Sequence, residues 1–133
     1  MYKLYCRLYQ FIFRIVTPFL PWRKPELLVG EGSLIKLPAL IINKDINRIL
    51  IVTDKGIATL GLMDNLMEAL TNKGIQYFVY DRTVPNPTID NIEEALEMYR
   101  SNHCDGIIAF GGGSPIDCAK GVAARVARPQ KAI

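Results

Sequence analysis

The chain is poor in the residues that hold metals or build disulfide frameworks. Its 133 residues include one histidine, His103, and three cysteines. Three is an odd number, and the cysteines lack the spacing of zinc ligands, which argues against both a disulfide scaffold and a zinc site. Few and unpaired cysteines fit a reducing compartment, so we expect a cytoplasmic protein.

Long uncharged apolar runs are also missing. Arg7 and Arg14 interrupt the aromatic N-terminal segment, no small-residue cleavage site follows it, and no uncharged run approaches the ~18 residues of a membrane span. Of 16 basic side chains, five lie in residues 1–25, which contain no acid, leaving 11 basic and 13 acidic groups beyond. Because those later charges are interspersed, no stripe typical of nucleic-acid binding is present.

Residues 1–25 form a segment of their own. Apolar side chains recur at intervals of three and four from Leu4 to Phe19, which predicts a helix with one apolar face that ends before Pro18 and Pro21. We expect this helix to pack on its own protein or on a partner subunit. The alternative, which we favour less, is a basic amphipathic helix lying on a membrane surface.

Residues 26–133 alternate short β-rich runs with helical patterns. Strands are predicted at 27–29, 48–53, 76–80 and 106–110. Helices are predicted from Ser33 or Pro38 to about Asn43, over 57–72 and 89–101, and from Pro115 onward. Such alternation implies an α/β fold with an open parallel sheet and helices on both faces. We expect an uncovered sheet edge after residue 127, through which, or through the N-terminal helix, copies could form a homo-oligomer.

A glycine-rich turn follows the last predicted strand, in the stretch FGGGSPIDCAK at 110–120. Without Cβ atoms, Gly111–Gly113 let the main chain approach a bulky anion. Ser114 is predicted to cap the helix that follows, with Pro115 in its first turn and Asp117 bonding back to the cap. The free N–H groups and positive dipole end of that helix predict a seat for phosphate.

Two standard phosphate motifs do not match this turn. The dinucleotide fingerprint needs a glycine at position 116, where the chain has Ile116, and a P-loop needs glycine before lysine, whereas Lys120 precedes Gly121. A well-capped turn that binds no ligand is therefore the alternative interpretation.

Two further polar residues are expected at the same edge of the sheet. Asp54 follows the apolar run RILIVT, where its carboxylate could accept hydrogen bonds from a ribose and disfavour the 2′-phosphate of NADP. Asn86 lies between two stiffening prolines in the loop after the next strand. The alternatives are a plain helix cap at Asp54 and a rigid connection at Asn86.

Taken together, these motifs resemble the iron-containing, or group III, alcohol dehydrogenase family. The resemblance rests on IVTDKG (51–56), VPNPT (84–88) and AFGGGSPIDCAK (109–120), in the family's order and spacing, with GEGSLIKLP before them. The last motif is quite specific, while the first two are weak alone. The likeness covers about residues 26–127.

The resemblance implies a two-domain enzyme that interconverts alcohols and aldehydes or ketones with NAD(P). Residues 26–133 would be an incomplete dinucleotide-binding domain, and the C-terminal helical domain, which holds iron or zinc through one Asp and three His, would be absent. By the same resemblance, the nucleotide would be held at the pyrophosphate by Gly112, Gly113 and Ser114, at the adenosine ribose by Asp54 and at its edge by Asn86, with Asp117 and Lys120 supporting the loop.

We therefore expect the NAD-binding portion of a metal-dependent alcohol dehydrogenase, with NADP less favoured. This chain would carry no catalytic residue and no metal ligand, and His103 would be solvated or capping, so the chain alone would be inactive. A small alcohol or aldehyde would be a partner only of the full-length enzyme. The alternative is a non-catalytic nucleotide-binding or partner-docking remnant of a truncated gene.

Overall fold

A computed structural model describes residues 2–19 and 26–129, and for residues 2–4 it describes the backbone only. Within these residues the sheet has three strands: β1 (Arg48–Val52), β2 (Gln76–Tyr80) and β3 (Gly106–Ala109). All pairings are parallel, and the order is β2-β1-β3, so that β1 is central. Each strand coincides with a predicted run of β-branched or aromatic residues.

The helices fill the connections between the strands. The α-helices of the described residues are α1 (Tyr2–Val16), α2 (Leu37–Ile42), α3 (Lys55–Thr59), α4 (Asp64–Asn72), α5 (Ile89–Ser101) and α6 (Gly113–Ala127). Short 3₁₀ turns cover Thr17–Phe19 and Ser33–Lys36. The parallel pairs require such crossovers, because a hairpin can join only antiparallel strands.

Both faces of β1 are covered, as its uniformly apolar sequence predicted. Leu50 and Val52 face one core with the buried residues of α5 and α6, while Ile49 and Ile51 face a second core that includes residues of α2 and α4. These four side chains are at most 1% exposed. The prediction of an open parallel sheet with helices on both faces is confirmed.

The helix predicted over 57–72 is wrong as a single element. It is two helices, α3 and α4, separated by a turn in which Gly61 has a φ of 68°. The side chain of Leu60 is 67% exposed, whereas those of Met63, Leu66 and Leu70 are buried. A left-handed glycine stops the first helix, so apolar spacing alone overestimated its length.

The strand predicted at 27–29 is also wrong. Leu27–Val29 has no regular structure, and Leu27 and Val29 are 76% and 86% exposed. Gly30 and Gly32 follow directly with φ values of 115° and 72°. Three apolar residues next to such turns gain too few ladder hydrogen bonds to join the sheet.

Helix α1 stands apart from the two cores. It ends at Val16, just before Pro18 as predicted, and within the described residues the one element that it contacts is the following 3₁₀ turn. Packing of α1 on its own chain is therefore not what this part of the structure shows. The predicted break at Pro21 lies outside the described residues. No helix in the described part of the chain is long and apolar enough to cross a membrane.

Candidate functional site

A cleft of about 450 Å³ opens at the carboxyl ends of the strands. It is formed by the loop after each strand, because parallel strands end at one edge of the sheet. A backbone bridge between Asp54 and Arg82 holds the first two of these loops together. The lining residues are Asp54, Lys55 and Gly56 after β1, Thr83, Val84 and Pro85 after β2, and Gly112, Gly113, Ser114 and Pro115 after β3.

The first glycine of the turn is required by the fold itself. Gly111 has a φ of 134°, which side-chain-bearing residues rarely adopt. A Cβ there would also lie 3.1 Å from Cγ of Pro115. Gly111 thus lets the chain turn sharply from β3 into α6.

The next two glycines are not required by contacts inside the protein. A Cβ added to Gly112 or to Gly113 would meet no protein atom within 4 Å, and Gly112 has an ordinary φ of −84°. Both residues line the cleft. The bare backbone therefore faces open space, where a ligand can approach it more closely than a side chain would allow.

Helix α6 begins two residues earlier than the predicted Ser114 cap implied, and this overturns that cap. Gly112 occupies the N-cap position with no side-chain hydrogen bond, and the helix starts at Gly113. Ser114 is therefore inside the first turn, with its side chain at the cleft. Pro115 takes the third position, where its missing N–H leaves no donor unpaired.

This helix start presents backbone donors to the cleft. The N–H groups of Gly113 and Ser114 belong to the first turn, and no side chain in the described residues caps that turn. Unpaired N–H groups together with the positive end of the helix dipole favour an anion. The cap is glycine instead of serine, and a phosphate seat at this helix start stays a prediction.

Asp117 and Lys120 do not line the cleft. Their side chains form an ion pair on the surface of α6, with Nζ of Lys120 3.3 Å from Oδ1 of Asp117. The predicted bond from Asp117 back to a Ser114 cap is wrong, because the helix register moves the carboxylate past the first turn. The pair, 72% and 66% exposed, contributes little to stability.

Asp54 caps a helix, as one of its two interpretations predicted, and also lies at the cleft. Its Oδ1 accepts a hydrogen bond from the N–H of Ile57 at 2.9 Å and so caps α3. Its Oδ2 lies on the side of the glycine turn, 3.6 Å from where a Cβ of Gly111 would be. The carboxylate therefore caps a helix and also borders the cleft.

Asn86 lies at the rim, outside the cleft lining. It is exposed and has a φ of 55°, a left-handed conformation that asparagine tolerates between the two prolines. Two residues on, Thr88 caps α5 as predicted by accepting a hydrogen bond from the N–H of Asn91 at 3.3 Å. The stiff loop therefore forms part of the rim and also fixes the start of α5.

Thr83 is the polar lining residue that the sequence did not reveal. It is only 5% exposed, yet it lines the cleft beside Val84 and Pro85. Oγ1 of Thr83 is buried and has no hydrogen-bond partner among the described residues. Burial raises the pKa of the neighbouring Cys118 thiol, and the nearby Thr83 side chain opposes that shift only in part. A single threonine in a loop belongs to no pattern, so nothing but its place directly before VPNPT pointed to it.

The residues described do not fit a metal site. Within them, no three His, Cys, Asp or Glu side chains lie close enough together to hold an ion. His103 is exposed in a left-handed turn after α5, with a φ of 51°. We therefore derive no metal-dependent step from this chain.

Comparison with known proteins decides the family. The sequence model described as iron-containing alcohol dehydrogenase matches residues 24–133. The chain belongs to this family. The family resemblance inferred from the three motifs is therefore confirmed.

Curated members of the iron-containing alcohol dehydrogenase family show the same match. The chain is 40% identical over 96 residues to alcohol dehydrogenase 4 of Schizosaccharomyces pombe, which covers 72% of this chain and 23% of that protein. It is 42% identical over 98 residues to the long-chain primary alcohol dehydrogenase AdhA of Thermoanaerobacter ethanolicus, covering 71% and 25%. The chain thus spans about a quarter of the length of these relatives.

Solved structures of the family share the fold. An iron-containing alcohol dehydrogenase from Thermococcus thioreducens superposes with a TM-score of 0.76 and 27% identity, over 86% of this chain and 30% of that one. NADH-dependent butanol dehydrogenase A from Thermotoga maritima gives 0.72 and 29%, over 80% and 27%. Each superposition covers most of this chain but less than a third of the longer protein.

Proposed function

We propose that this chain binds NAD as the dinucleotide-binding portion of a metal-dependent alcohol dehydrogenase. The observation that carries the proposal is the bare backbone of Gly112 and Gly113. Their open sides face a cleft and no protein atom, and their helix start offers N–H donors there. A dinucleotide pyrophosphate is an anion that needs both close approach and such donors.

The other lining groups suit the rest of the nucleotide. The carboxylate of Asp54 would accept hydrogen bonds from the adenosine ribose, and the hydroxyls of Thr83 and Ser114 would donate to phosphate oxygens. Asn86, at the rim, would meet the outer edge of the nucleotide. Asp117 and Lys120 would act only indirectly, by supporting the first turns of α6.

When bound, NAD supplies hydride chemistry between an alcohol and an aldehyde or ketone. The name of one structural neighbour, an NADH-dependent butanol dehydrogenase, supports this cofactor class and substrate class. Since the described residues hold no metal site, we expect no turnover of primary alcohols by this chain alone. The contribution of the chain is to bind and orient the nucleotide.

Calorimetric titration with NAD tests the proposal. Wild-type protein should bind NAD saturably, and Gly113→Asp should weaken binding about tenfold or more. A carboxylate ~4 Å from a phosphate costs about 1 kcal/mol even in water and more in a partly enclosed cleft. A Cβ at this position meets no protein atom within 4 Å and the φ is ordinary, so we expect the fold to be unaffected.

The matched control is Ile116→Asp. It adds the same charge to the same turn of α6 at a position that is 40% exposed and outside the cleft lining. NAD affinity should stay within about twofold. A wild-type chain that gives a cooperative unfolding transition but no NAD binding would contradict the proposal, as would equal losses in the two variants.

A second arm tests the assignment of Asp54. Asn caps helices as well as Asp does, so Asp54→Asn should keep α3 and remove only the charge. We expect the affinity for NADP to rise relative to that for NAD, because the 2′-phosphate no longer meets a fixed negative charge. An unchanged NAD-to-NADP ratio would remove Asp54 from the ribose site.

A further inference from the structure

Helix α1 exposes an apolar face that nothing in the described residues covers. Nine large apolar side chains of α1 and the following 3₁₀ turn are each between 47% and 84% exposed. They are Tyr5, Leu8, Tyr9, Phe11, Ile12, Phe13, Ile15, Val16 and Phe19. Apolar surface of this extent on one element marks a binding face.

The remaining side of α1 is basic. Lys3, Arg7, Gln10 and Arg14 follow one another at intervals of four, three and four, so they lie along one narrow stripe of the helix. Residues 1–25 contain no Asp or Glu, whereas from residue 26 onward acidic groups outnumber basic ones by 13 to 11. The net positive charge of the chain thus lies in residues 1–25, whereas residues 26–133 carry a small net negative charge.

We propose that α1 docks this protein onto an anionic phospholipid bilayer and lies in the plane of its surface. The apolar face would enter the boundary between headgroups and acyl chains, and the basic stripe would stay at the anionic headgroups. Its 15 residues span about 22 Å at 1.5 Å each, less than the ~30 Å hydrocarbon core. The helix therefore lies on the membrane and does not cross it.

The aromatic residues of α1 fit this location. Tyr5, Tyr9 and Phe13 form a column, with ring centroids 6.5 Å apart for the first pair and 5.0 Å for the second. Tyrosine is enriched at membrane interfaces, because its ring prefers an apolar medium while its hydroxyl stays hydrated. All three rings are exposed in this structure, so they are free to enter such a layer.

A second copy of the helix fits the same face less well. A helix pair buries a seam of two or three positions in seven. Between Leu8 and Val16, seven of nine residues are exposed and apolar, which covers more than half of the circumference. A single partner helix would leave much of that apolar surface exposed to water, whereas a lipid layer would cover the whole surface.

Vesicle co-sedimentation of the full chain tests the proposal. Phosphatidylcholine vesicles with about one third phosphatidylglycerol should sediment the protein, and pure phosphatidylcholine vesicles much less. The double variant Arg7→Gln/Arg14→Gln should lower the partition coefficient about 30-fold, since each basic residue near an anionic surface contributes about fivefold. Phe11→Ser/Ile12→Ser should lower it more than tenfold through the lost apolar burial.

The matched control is Lys44→Gln/Lys73→Gln, which removes the same charge from exposed positions of the α/β body. It should change the partition coefficient by less than twofold. The chain has one tryptophan, Trp22, three residues after the 3₁₀ turn, so a blue shift of its emission with anionic vesicles should report the same event. None of the six substituted side chains belongs to either core of the described residues, so unfolding should be unchanged.

Three results would overturn the proposal. The wild-type chain could remain in the supernatant with anionic vesicles at about 0.1 M salt. The body variant could lose as much binding as the helix variant. Alternatively, light scattering could show a stable dimer that the Phe11→Ser/Ile12→Ser variant dissociates, with no vesicle binding, which would assign the apolar face to a second copy.

Discussion

At the scale of single residues, Tyr80 links the sheet to the loop beside the cleft. It ends β2, and its buried hydroxyl donates a hydrogen bond to Oε2 of Glu94 at 3.1 Å and accepts one from Nδ2 of Asn91 at 3.2 Å. Burial raises the pKa of Tyr80 to about 12, against the effect of the Asn91 hydrogen bond and with that of Glu94. The guanidinium of Arg82 lies 5.4 Å from the ring centroid.

This raised pKa predicts a pH dependence of stability. The folded phenol keeps its proton up to about pH 12, whereas an unfolded phenol loses it near pH 10. The stabilising contribution is therefore complete below pH 10 and is lost as the pH rises through 12. In urea unfolding, wild-type stability should fall more steeply over this interval than that of Tyr80→Phe.

At neutral pH, Tyr80→Phe should lose about 1 kcal/mol, the usual net contribution of a buried hydrogen bond. Asn91 keeps a hydrogen bond from Nδ2 to the carbonyl of Arg82 at 3.3 Å, which limits the loss. Tyr5→Phe, on the exposed face of α1, is the control and should leave both the stability and its alkaline slope unchanged. Parallel slopes in wild type and Tyr80→Phe would contradict the assignment.

At the scale of elements, α6 packs against α5 at a glycine. A Cβ on Gly121 of α6 would lie 2.6 Å from Cδ1 and 2.9 Å from Cγ1 of Ile92 on α5. Ile92 is itself buried in the core between these helices and the sheet. The distance of α6 from α5, and so the position of the whole helix, depends on this missing side chain.

Gly121→Leu should therefore lower the free energy of unfolding by about 1–2 kcal/mol. Overpacking a core costs about 1–3 kcal/mol, and the ~1 kcal/mol gained in helix propensity only partly offsets it. Ala123→Leu, at an exposed position of the same helix, should stay within about 0.5 kcal/mol. Chemical denaturation measures both variants.

A double variant separates a steric effect from a general one. If Ile92 is what the new side chain meets, Ile92→Ala should offset part of the loss in a Gly121→Leu background, although it is destabilising alone. Strictly additive effects of the two substitutions would show that the helices do not touch at this point.

At the scale of the whole molecule, two cores share one strand. Leu50 and Ile51 are neighbours on β1, both 0% exposed, and they point into opposite cores. Every described layer of the α/β body therefore packs on β1. If one core came apart, β1 would lose half of its packing, and the other core would then lose its central strand. We therefore expect residues 26–129 to unfold as one unit.

Leu50→Ala and Ile51→Ala test this shared dependence. Each should cost about 2–5 kcal/mol, the range for deleting a large core side chain, and each should shift the same single transition. Ile35→Ala, at a site 62% exposed, is the control and should be near neutral. Two separate transitions, each sensitive to one variant, would show that the cores fold independently.

Much of the fold was predictable because it depends on neighbours along the chain. The apolar run of β1, the bounds of α5 with its Thr88 cap, and the glycine turn before α6 are local patterns, and the structure contains all three. The side-by-side placement of Asp54 and the glycine turn also followed, since parallel strands end at one edge. Whether these residues bind NAD stays a prediction.

What the sequence alone determined is therefore the α/β class, the order of its strands and helices after residue 48 except for the break between α3 and α4, the family, and the edge of the sheet that carries the candidate site. The tertiary structure decided the left-handed break at Gly61, the start of α6 at Gly113, the entry of Thr83 into the cleft and the exposure of α1. The physical reason is that propensities and apolar periods act over a few residues. Caps, clefts and uncovered faces depend on which distant segments meet in space.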